Sequence, residues 1–424
     1  MLSRCIACAI VLVACVGWAL DRPASLIDES RILPSEHPAI DYWRADPNDA
    51  VARLQRRLSG GEIQLSFDER FGYLPAVLDA LDVPRSSQVL VFSKTSFQAS
   101  RIFPRVPRAL YHNEEVSVGW VDGGDVVEIA SLDPKLGVVF YTLPQEQTRR
   151  PQFAPRTTEC ISCHAGSYTL GVPGLLVRSV HPDQSGTPQR TPSFITDHRS
   201  PLSERWGGWY VSGRHGSQRH MGNATYERDQ SALPLIGSQT QNVAKLQPYV
   251  SPYNYLRSTS DIVSLMTLEH QTRMTNLITR LGYVARIAER DGVTPEARRE
   301  IENTAEELLR YLLFTDEAPL EAPVEGDPEY AEAFEARGPR DSQGRSLHQL
   351  DLQTRLLRYP CSYMIDSEAM ESLPAVAKDR VYRRLWEVLT GRDESPAFGS
   401  LGKEDRRAIH EILAGTKKDL PEYW

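Results

Sequence analysis

The sequence predicts an α+β fold built from three different kinds of region. Between positions 88 and 141, apolar residues form short runs separated by turn residues, which is typical of β-strands. From position 258 onward, apolar residues recur at spacings of three and four, which is typical of amphipathic helices. Residues 146–250 are rich in glycine, proline, serine, arginine and histidine. We therefore expect a small antiparallel sheet, a loop-rich middle and a mainly helical C-terminal half.

The N-terminal region begins with two predicted short helices. A turn and cap at 46–49 precede apolar residues at helical spacing, and Gly60-Gly61 ends the first helix. The second covers Tyr73 to Leu81 and ends before a proline. Predicted strands follow at 88–92, 116–121, 126–129 and 138–141, the middle pair joined by the hairpin turn Asp122-Gly123-Gly124-Asp125. Residues 62–145 are thus expected to form a small, mainly antiparallel sheet.

The middle region carries few predicted elements, mainly a candidate strand at 175–180 and the aromatic segment 205–210. A long loop-rich segment within a folded protein is either disordered or organised around something. Its aromatic residues and histidines argue against disorder. We expect a bound cofactor to supply the missing core there.

The C-terminal half is predicted to contain several helices. The first is capped at Ser258 or Ser260 and carries an apolar stripe, and the second runs from about Pro295 to Phe314. Residues 316–345 are acidic and contain several prolines and glycines, which predicts an exposed linker or a long loop. Further helices are predicted from about 346 to Tyr359-Pro360, over 375–390 and over 402–415.

The first residues have the pattern of a secretory signal peptide. Arg4 is the only charged residue before Asp21, and a short apolar segment and small residues lie between them. We expect residues 1–19 to be removed and the mature protein to be periplasmic or secreted. A buried N-terminal helix is the alternative. The run Leu12-Val13-Ala14-Cys15 looks like a lipobox, which would place a lipid on Cys15 and anchor the protein to a membrane.

Four regions are expected along the chain: a signal peptide at 1–19, an α+β region at 20–150, a cofactor-binding region at 151–250 and a helical region at 251–424. The composition, with 41% hydrophobic and 25% charged residues, is that of a globular protein. The formal charge of −8 argues against nucleic acid as a partner. It argues equally against an anionic membrane surface, unless Cys15 is lipidated.

The run Cys-Ile-Ser-Cys-His at 160–164 carries recognisable chemistry. Two thiols separated by two residues can reach the two vinyl groups of one haem, and the adjacent histidine then lies beneath the ring and binds iron. Cys160 and Cys163 are therefore predicted to attach the haem, and His164 to be an axial ligand of its iron. The export signal agrees, because this attachment takes place outside the cytoplasm in bacteria. Cys361 would then be the single thiol of the mature chain.

Three alternatives to haem attachment stay open for this cysteine pair. A thioredoxin-like redox pair is usually preceded by a strand and followed by a helix, which the flanking residues do not predict. A zinc site would need a second pair of ligands at short spacing, and the chain after the predicted signal peptide has no second cysteine pair. A structural disulfide between Cys160 and Cys163 is the third.

At Cys160 to His164 the sequence resembles the c-type cytochromes. The final helix, Leu401 to Leu413, is similar to the amphipathic last helix of a small cytochrome module. In such a module that helix lies within roughly a hundred residues of the haem motif, whereas here it lies beyond residue 400. The whole chain looks more like the large secreted cytochrome-like proteins of environmental bacteria. That resemblance implies one covalently bound haem c and names no substrate.

The sixth iron ligand decides what such a haem does. A methionine there makes an electron carrier, whereas an open position permits oxygen or peroxide chemistry. Met221, in the loop-rich region, is the first candidate, with an ordinary loop methionine as the alternative. His270 is the second, because it interrupts an apolar helical face. Its alternative is a buried, hydrogen-bonded histidine.

A third group of candidates suits peroxidase chemistry, in which a histidine moves a proton and an arginine stabilises the leaving oxygen. It comprises His198, His215 and His220 with Arg199, Arg205, Arg214 and Arg219. These arginines could instead neutralise haem propionates or lie on a solvated face. Trp206 and Trp209 would pack on the haem edge or in the core.

The sequence thus favours a periplasmic monohaem electron-transfer protein whose redox partner it does not identify. A haem enzyme, peroxidase-like or oxidase-like, with an open or labile distal site is the second hypothesis. A binding module with a Cys160–Cys163 disulfide is the third.

Overall fold

The computed structural model of the protein describes residues 24–189, 193–227, 232–234 and 240–424. The predicted signal peptide and Cys15 lie outside these residues. The described chain combines a seven-stranded antiparallel sheet with a large helical part. The predicted α+β class is confirmed.

The helices of the described chain concentrate in its C-terminal half. They are α1 (Ala50–Ser59), α2 (Leu74–Ala80), α3 (Thr157–His164), α4 (Ile262–Asp291), α5 (Pro295–Leu312), α6 (Pro328–Arg337), α7 (Glu368–Glu371), α8 (Ala375–Leu389) and α9 (Lys403–Thr416). Helices α1, α2, α4, α5, α8 and α9 match sequence predictions to within a few residues, except at the first turn of α4. None of the helices in the described residues is both long enough and apolar enough to cross a bilayer.

The strands lie mostly in the first half of the chain. They are β1 (Val89–Val91), β2 (Arg108–His112), β3 (Val116–Val121), β4 (Val126–Asp133), β5 (Gly137–Pro144), β6 (Ala154–Pro155), β7 (Arg178–Ser179), β8 (Phe194–Ile195), β9 (Trp209–Tyr210), β10 (Ala224–Tyr226) and β11 (Ala232–Pro234). The predicted strand at 175–180 is reduced to the two residues of β7.

The large sheet has the strand order β6-β5-β4-β3-β2-β1-β9, with every neighbouring pair antiparallel. Its centre is the predicted meander, and Gly123 takes the positive φ of 69° that the predicted hairpin turn needs. Both edge strands, β6 and β9, come from the loop-rich middle region. That region is therefore built into the sheet, and one continuous apolar core extends from Ile27 to Leu413.

The two faces of the sheet are covered differently. On one face, α1 packs through Val51 and Leu54, and the carboxylate of its N-cap Asp49 accepts a hydrogen bond of 2.6 Å from the Tyr141 hydroxyl of β5. On the other face, α4 packs at one end, where His112 of β2 bonds Gln271 at 2.9 Å. Away from that end, the second-face residues of β2 and β4 are only half-buried, while their neighbours on the first face are buried. Part of the second face is thus open.

Helix α4 is the central element of the C-terminal half, with most of its side chains buried. The prediction that Ser258 or Ser260 caps it is wrong, because Asp261 is the N-cap and accepts a bond from the Ser264 amide at 2.8 Å. The Ser260 hydroxyl instead donates to the Tyr210 carbonyl at 2.6 Å. A carboxylate at the N-cap also interacts favourably with the helix dipole.

Two further predictions for the C-terminal half are wrong. Residues 346–359 form no helix, because the Asp351 carboxylate accepts bonds from the amides of Gln353 and Thr354 and closes a turn. The acidic segment 316–345 is not an exposed linker throughout, since α6 lies within it and buries Tyr330 and Phe334. The prediction failed because acidic composition masked two aromatic anchors one helical turn apart.

Candidate functional site

The Cys-x-x-Cys-His run forms the C-terminal part of α3, which follows edge strand β6. The chain enters the helix from β6, and the amide of Arg156 donates to the Phe140 carbonyl of β5 at 2.8 Å. Cys160 and Cys163 are three residues apart and therefore lie on one side of the helix. Cys160 is half-buried and Cys163 is exposed. His164, the last helical residue, carries its ring back over the sheet.

The His164 ring is held in one orientation. Its Nδ1 lies 2.9 Å from the Gly174 carbonyl oxygen, and its ring centroid lies 4.8 Å from that of Phe140. Because a carbonyl only accepts, Nδ1 must carry the proton. Burial also lowers the pKa of His164, which favours the neutral imidazole. Nε2, which has no hydrogen-bond partner among the described residues, is left with a free lone pair.

The open part of the sheet lies beside this helix. Register places Leu110 of β2, Gly119 of β3, Glu128 of β4 and Thr142 of β5 in one row across the second face. Arg108 reaches Glu128 across this row, with 2.7 Å between Nη2 and the carboxylate. Gly119 makes that crossing possible, because a Cβ there would lie 2.4 Å from the Arg108 guanidinium.

Half-buried apolar residues that pack against the core occur on this face of the sheet, on α3 and in the loop after it: Leu110, Ala130, Cys160, Ile161 and Leu175. The Arg108–Glu128 ion pair crosses the open row of the same face. The incompletely covered surface near the two thiols and the imidazole is therefore partly apolar and partly charged. The donor set and its surroundings fit a haem joined through Cys160 and Cys163 with His164 as its iron ligand.

The thiols are not arranged as a reactive redox pair. Cys160, Cys163 and Cys361 are all free. Burial, and next the charge of Glu128, raise the pKa of Cys160 to about 11. Redox-active cysteines lie at helix N-termini or beside cations, where their pKa is lowered, whereas this pair lies toward the C-terminal end of α3. Within the described ranges, no group of three or more His, Cys, Asp or Glu residues could hold a metal ion.

Met221 lies in a different local environment from His164. Its Sδ is 3.6 Å from the Ser179 hydroxyl, and its methyl group packs against Gly207. No described hydrogen bond or ring contact joins it to His164. Ligation by Met221 therefore stays a prediction.

The second and third candidate groups meet in the core. His270 of α4 and His198 face each other with 2.8 Å between their Nδ1 atoms, and both stack on Tyr311 and Phe314. The Nε2 of His270 bonds the Ser362 hydroxyl at 2.7 Å. Burial lowers the pKa of both histidines. This geometry matches the alternative interpretation of His270 as a buried, hydrogen-bonded histidine.

Two of the candidate arginines belong to the same buried region. Arg205 is 3.1 Å from the Glu269 carboxylate, and Arg199 is 2.8 Å from Asp197. Each guanidinium is thus neutralised by a protein carboxylate. The other two candidates, Arg214 and Arg219, are exposed.

The remaining candidates form a separate cluster. The rings of His215 and His220 are 4.8 Å apart, and Trp206 lies 5.5 Å from His220. Trp206 is fully buried, and the indole of Trp209 donates to the Arg178 carbonyl at 2.9 Å. Both tryptophans are core residues, as their alternative interpretation expected.

Comparison with protein-family models, with curated proteins and with solved structures gave no match for this chain. Sequence reasoning missed the residues that orient His164, namely Phe140 and Gly174. Neither carries a local signal, although the glycine lies in a Pro-Gly pair that suggests a fixed turn.

Proposed function

We propose that this protein carries one covalently attached haem c and transfers electrons through it outside the cytoplasm. The observation that carries the proposal is the fixed tautomer of His164, whose Nδ1 bonds Gly174 and whose Nε2 is free, directly after two free thiols. Histidines that bind metals almost always donate their second ring N–H to a carbonyl or carboxylate in this way. The signal-like N-terminus supports a periplasmic or secreted location.

Each residue of the site has a role in this proposal. Cys160 and Cys163 would hold the haem through thioether bonds, each thiol adding its sulfur and its hydrogen across one vinyl group. His164 would bind the iron through Nε2, and Gly174 holds the ring for that role. Half-buried apolar residues near the motif, such as Ile161 and Leu175, would shield part of the macrocycle from water. When bound, the haem supplies a one-electron Fe(III)/Fe(II) couple.

Electron transfer is favoured over peroxidase chemistry by the state of three candidate distal residues, His198, Arg199 and Arg205. A distal histidine and arginine must be free to meet a small oxygen substrate. Here His198 is engaged with His270, while Arg199 and Arg205 are paired with carboxylates. These buried hydrogen bonds and ion pairs would have to break before the three residues could contact a substrate bound to the haem iron.

The test is expression of the full chain together with haem-attachment machinery, followed by oxidised and reduced absorption spectra. We expect the sharp reduced alpha band of a low-spin c haem in the wild type and in Cys361→Ala. The matched variant Cys163→Ala should lose one thioether and shift that band. A protein that purifies folded but without haem would contradict the proposal, and rapid spectral change with peroxide would favour the enzymatic alternative.

The same spectra identify the sixth ligand. If Met221 binds iron, Met221→Ala should convert the haem to a high-spin or weakly ligated form, while His270→Ala should leave the spectrum intact. Unchanged spectra in Met221→Ala would remove it as a ligand. A redox partner protein is implied, and charge gives no reason to expect nucleic acid.

A further inference from the structure

We propose that Asn276 of α4 is a positioning residue for His164, acting through the peptide between Gly174 and Leu175. The inference rests on the proposed haem function for its effect on redox potential. It concerns residues more than a hundred positions apart in the chain. The juxtaposition is a property of the fold and has no counterpart in the local sequence.

The side chain of Asn276 forms a two-point clamp on the Leu175 backbone. Its Oδ1 accepts from the Leu175 amide at 2.9 Å, and its Nδ2 donates to the Leu175 carbonyl at 2.7 Å. The residue is only 3% exposed, so water cannot readily replace either bond. Both backbone groups are therefore fixed relative to the axis of α4.

The adjacent residue, Gly174, links this clamp to the imidazole. Its carbonyl accepts from Nδ1 of His164 at 2.9 Å, and its amide donates to the His164 carbonyl at 2.8 Å. A Cβ on Gly174 would lie 2.2 Å from Oδ1 of Asn276. The glycine thus lets α4 approach closely enough for the clamp to form.

Other hydrogen bonds hold the residues that precede Gly174, from Leu170 to Pro173. The Pro173 carbonyl accepts from the Val138 amide of β5 at 3.0 Å, which ties it to the sheet. One turn further along α4, the Arg280 guanidinium donates to the Leu170 carbonyl at 2.6 Å. Residues 170–175 are consequently held between the sheet and α4. Among these contacts, the bonds of Asn276 to Leu175 lie directly next to the Gly174 carbonyl that accepts from His164.

A firm bond from Nδ1 to a carbonyl makes the opposite nitrogen a stronger electron donor. Greater donation stabilises Fe(III) relative to Fe(II) and lowers the midpoint potential. If Asn276 is removed, the Gly174 carbonyl is held less firmly and the potential should rise. A tenfold loss of preference for the oxidised state corresponds to about 59 mV for a one-electron couple.

The experiment compares Asn276→Leu with Gln271→Leu in the full chain. Gln271 is a matched control because it is a buried amide on the same helix. It bonds His112 at 2.9 Å and has no described contact with residues 170–175. The first readout is the tautomer of His164 in haem-free protein, measured by nitrogen-15 NMR. The second is the midpoint potential of the haem-loaded protein.

We expect Asn276→Leu to mix the two tautomers of His164 and raise the potential, and Gln271→Leu to leave both near wild type. Equal tautomer populations and potentials in the two variants would overturn the inference. If no haem attaches to the wild type, the proposed function fails, while the tautomer measurement still decides the role of Asn276.

A milder variant covers the case in which Asn276→Leu does not fold. Asn276→Asp keeps the acceptor for the Leu175 amide and, when ionised, loses the donor to the Leu175 carbonyl. In haem-free protein, the two tautomers of His164 should mix while the introduced carboxyl is ionised, and the Nδ1–H tautomer should return as that carboxyl becomes protonated. A tautomer ratio that stays at the wild-type value across the pH range would contradict the clamp.

Discussion

Gly174 is a position beside the candidate site at which the packing leaves no room for an added methyl group. In Gly174→Ala the new Cβ would lie 2.2 Å from Oδ1 of Asn276 and 3.1 Å from Cβ of Thr169. The backbone φ of Gly174 is not positive, so alanine is allowed there and the cost is steric. Asn276 is buried and cannot move without losing its bonds to Leu175.

The expected cost follows from three contributions. Losing the two Asn276 hydrogen bonds removes about 2 kcal/mol at ~1 kcal/mol each. Overpacking a rigid site adds about 1 kcal/mol or more. Replacing glycine recovers about 0.5 kcal/mol by restricting the unfolded chain. Gly174→Ala should therefore lower the free energy of unfolding by about 2–3 kcal/mol.

The assay is urea denaturation of the haem-free protein, with Gly166→Ala as the control. Gly166 lies in the same loop, has an extended backbone with φ −124°, and has no atom within 4 Å of the position that an added Cβ would occupy. This control should be neutral or slightly stabilised. Equal unfolding free energies for the two variants would refute the close packing of Gly174 against α4.

Two further predictions concern charge. Glu128→Gln should lower the pKa of Cys160 from about 11, because the substitution removes a negative charge that raises this pKa. The rate of Cys160 alkylation, measured against pH in a haem-free Cys163→Ser background, should then rise at lower pH than without the substitution. An unshifted pH profile would contradict this prediction. Burial lowers the pKa of His112 to about 4 and those of His220 and His270 to about 3. Each folded pKa lies below the unperturbed histidine value of about 6.5, so the contribution of these histidines to the free energy of unfolding is fully present above about pH 6.5. That contribution is lost as the pH falls toward 4, by roughly 1.4 kcal/mol per pH unit for each imidazole. Urea midpoints that stay constant from pH 7 to pH 5 would be inconsistent with these buried neutral histidines.

The sequence predicts those parts of the fold that depend on local signals. Asp49 ahead of an apolar helical pattern marks α1, and the Gly-Gly turn between two valine-rich runs marks the β3–β4 hairpin. Each of these elements is specified by residues adjacent in the chain. The aromatic pair Tyr330 and Phe334 carried the same kind of signal, but the surrounding acidic residues obscured it.

The residues of the candidate site also fall into those that a local sequence signal reveals and those that only the fold brings together. Cys160, Cys163 and His164 are contiguous, so a motif is enough to find them. Gly174 and Asn276 are brought together only by the passage of α4 behind the loop. The sequence could suggest that His270 points inward, yet it could not supply His198 as its partner, which lies 72 positions earlier.

The most direct test of the haem proposal is the intact mass of the purified protein, followed by mass analysis of the peptide containing residues 160–164. We predict a mass equal to polypeptide plus one haem, with the added mass located on Cys160 and Cys163 and absent from a Cys160→Ala, Cys163→Ala double variant. A wild-type peptide carrying no added mass, or one lighter by two hydrogens because its cysteines form a disulfide, would contradict the proposal.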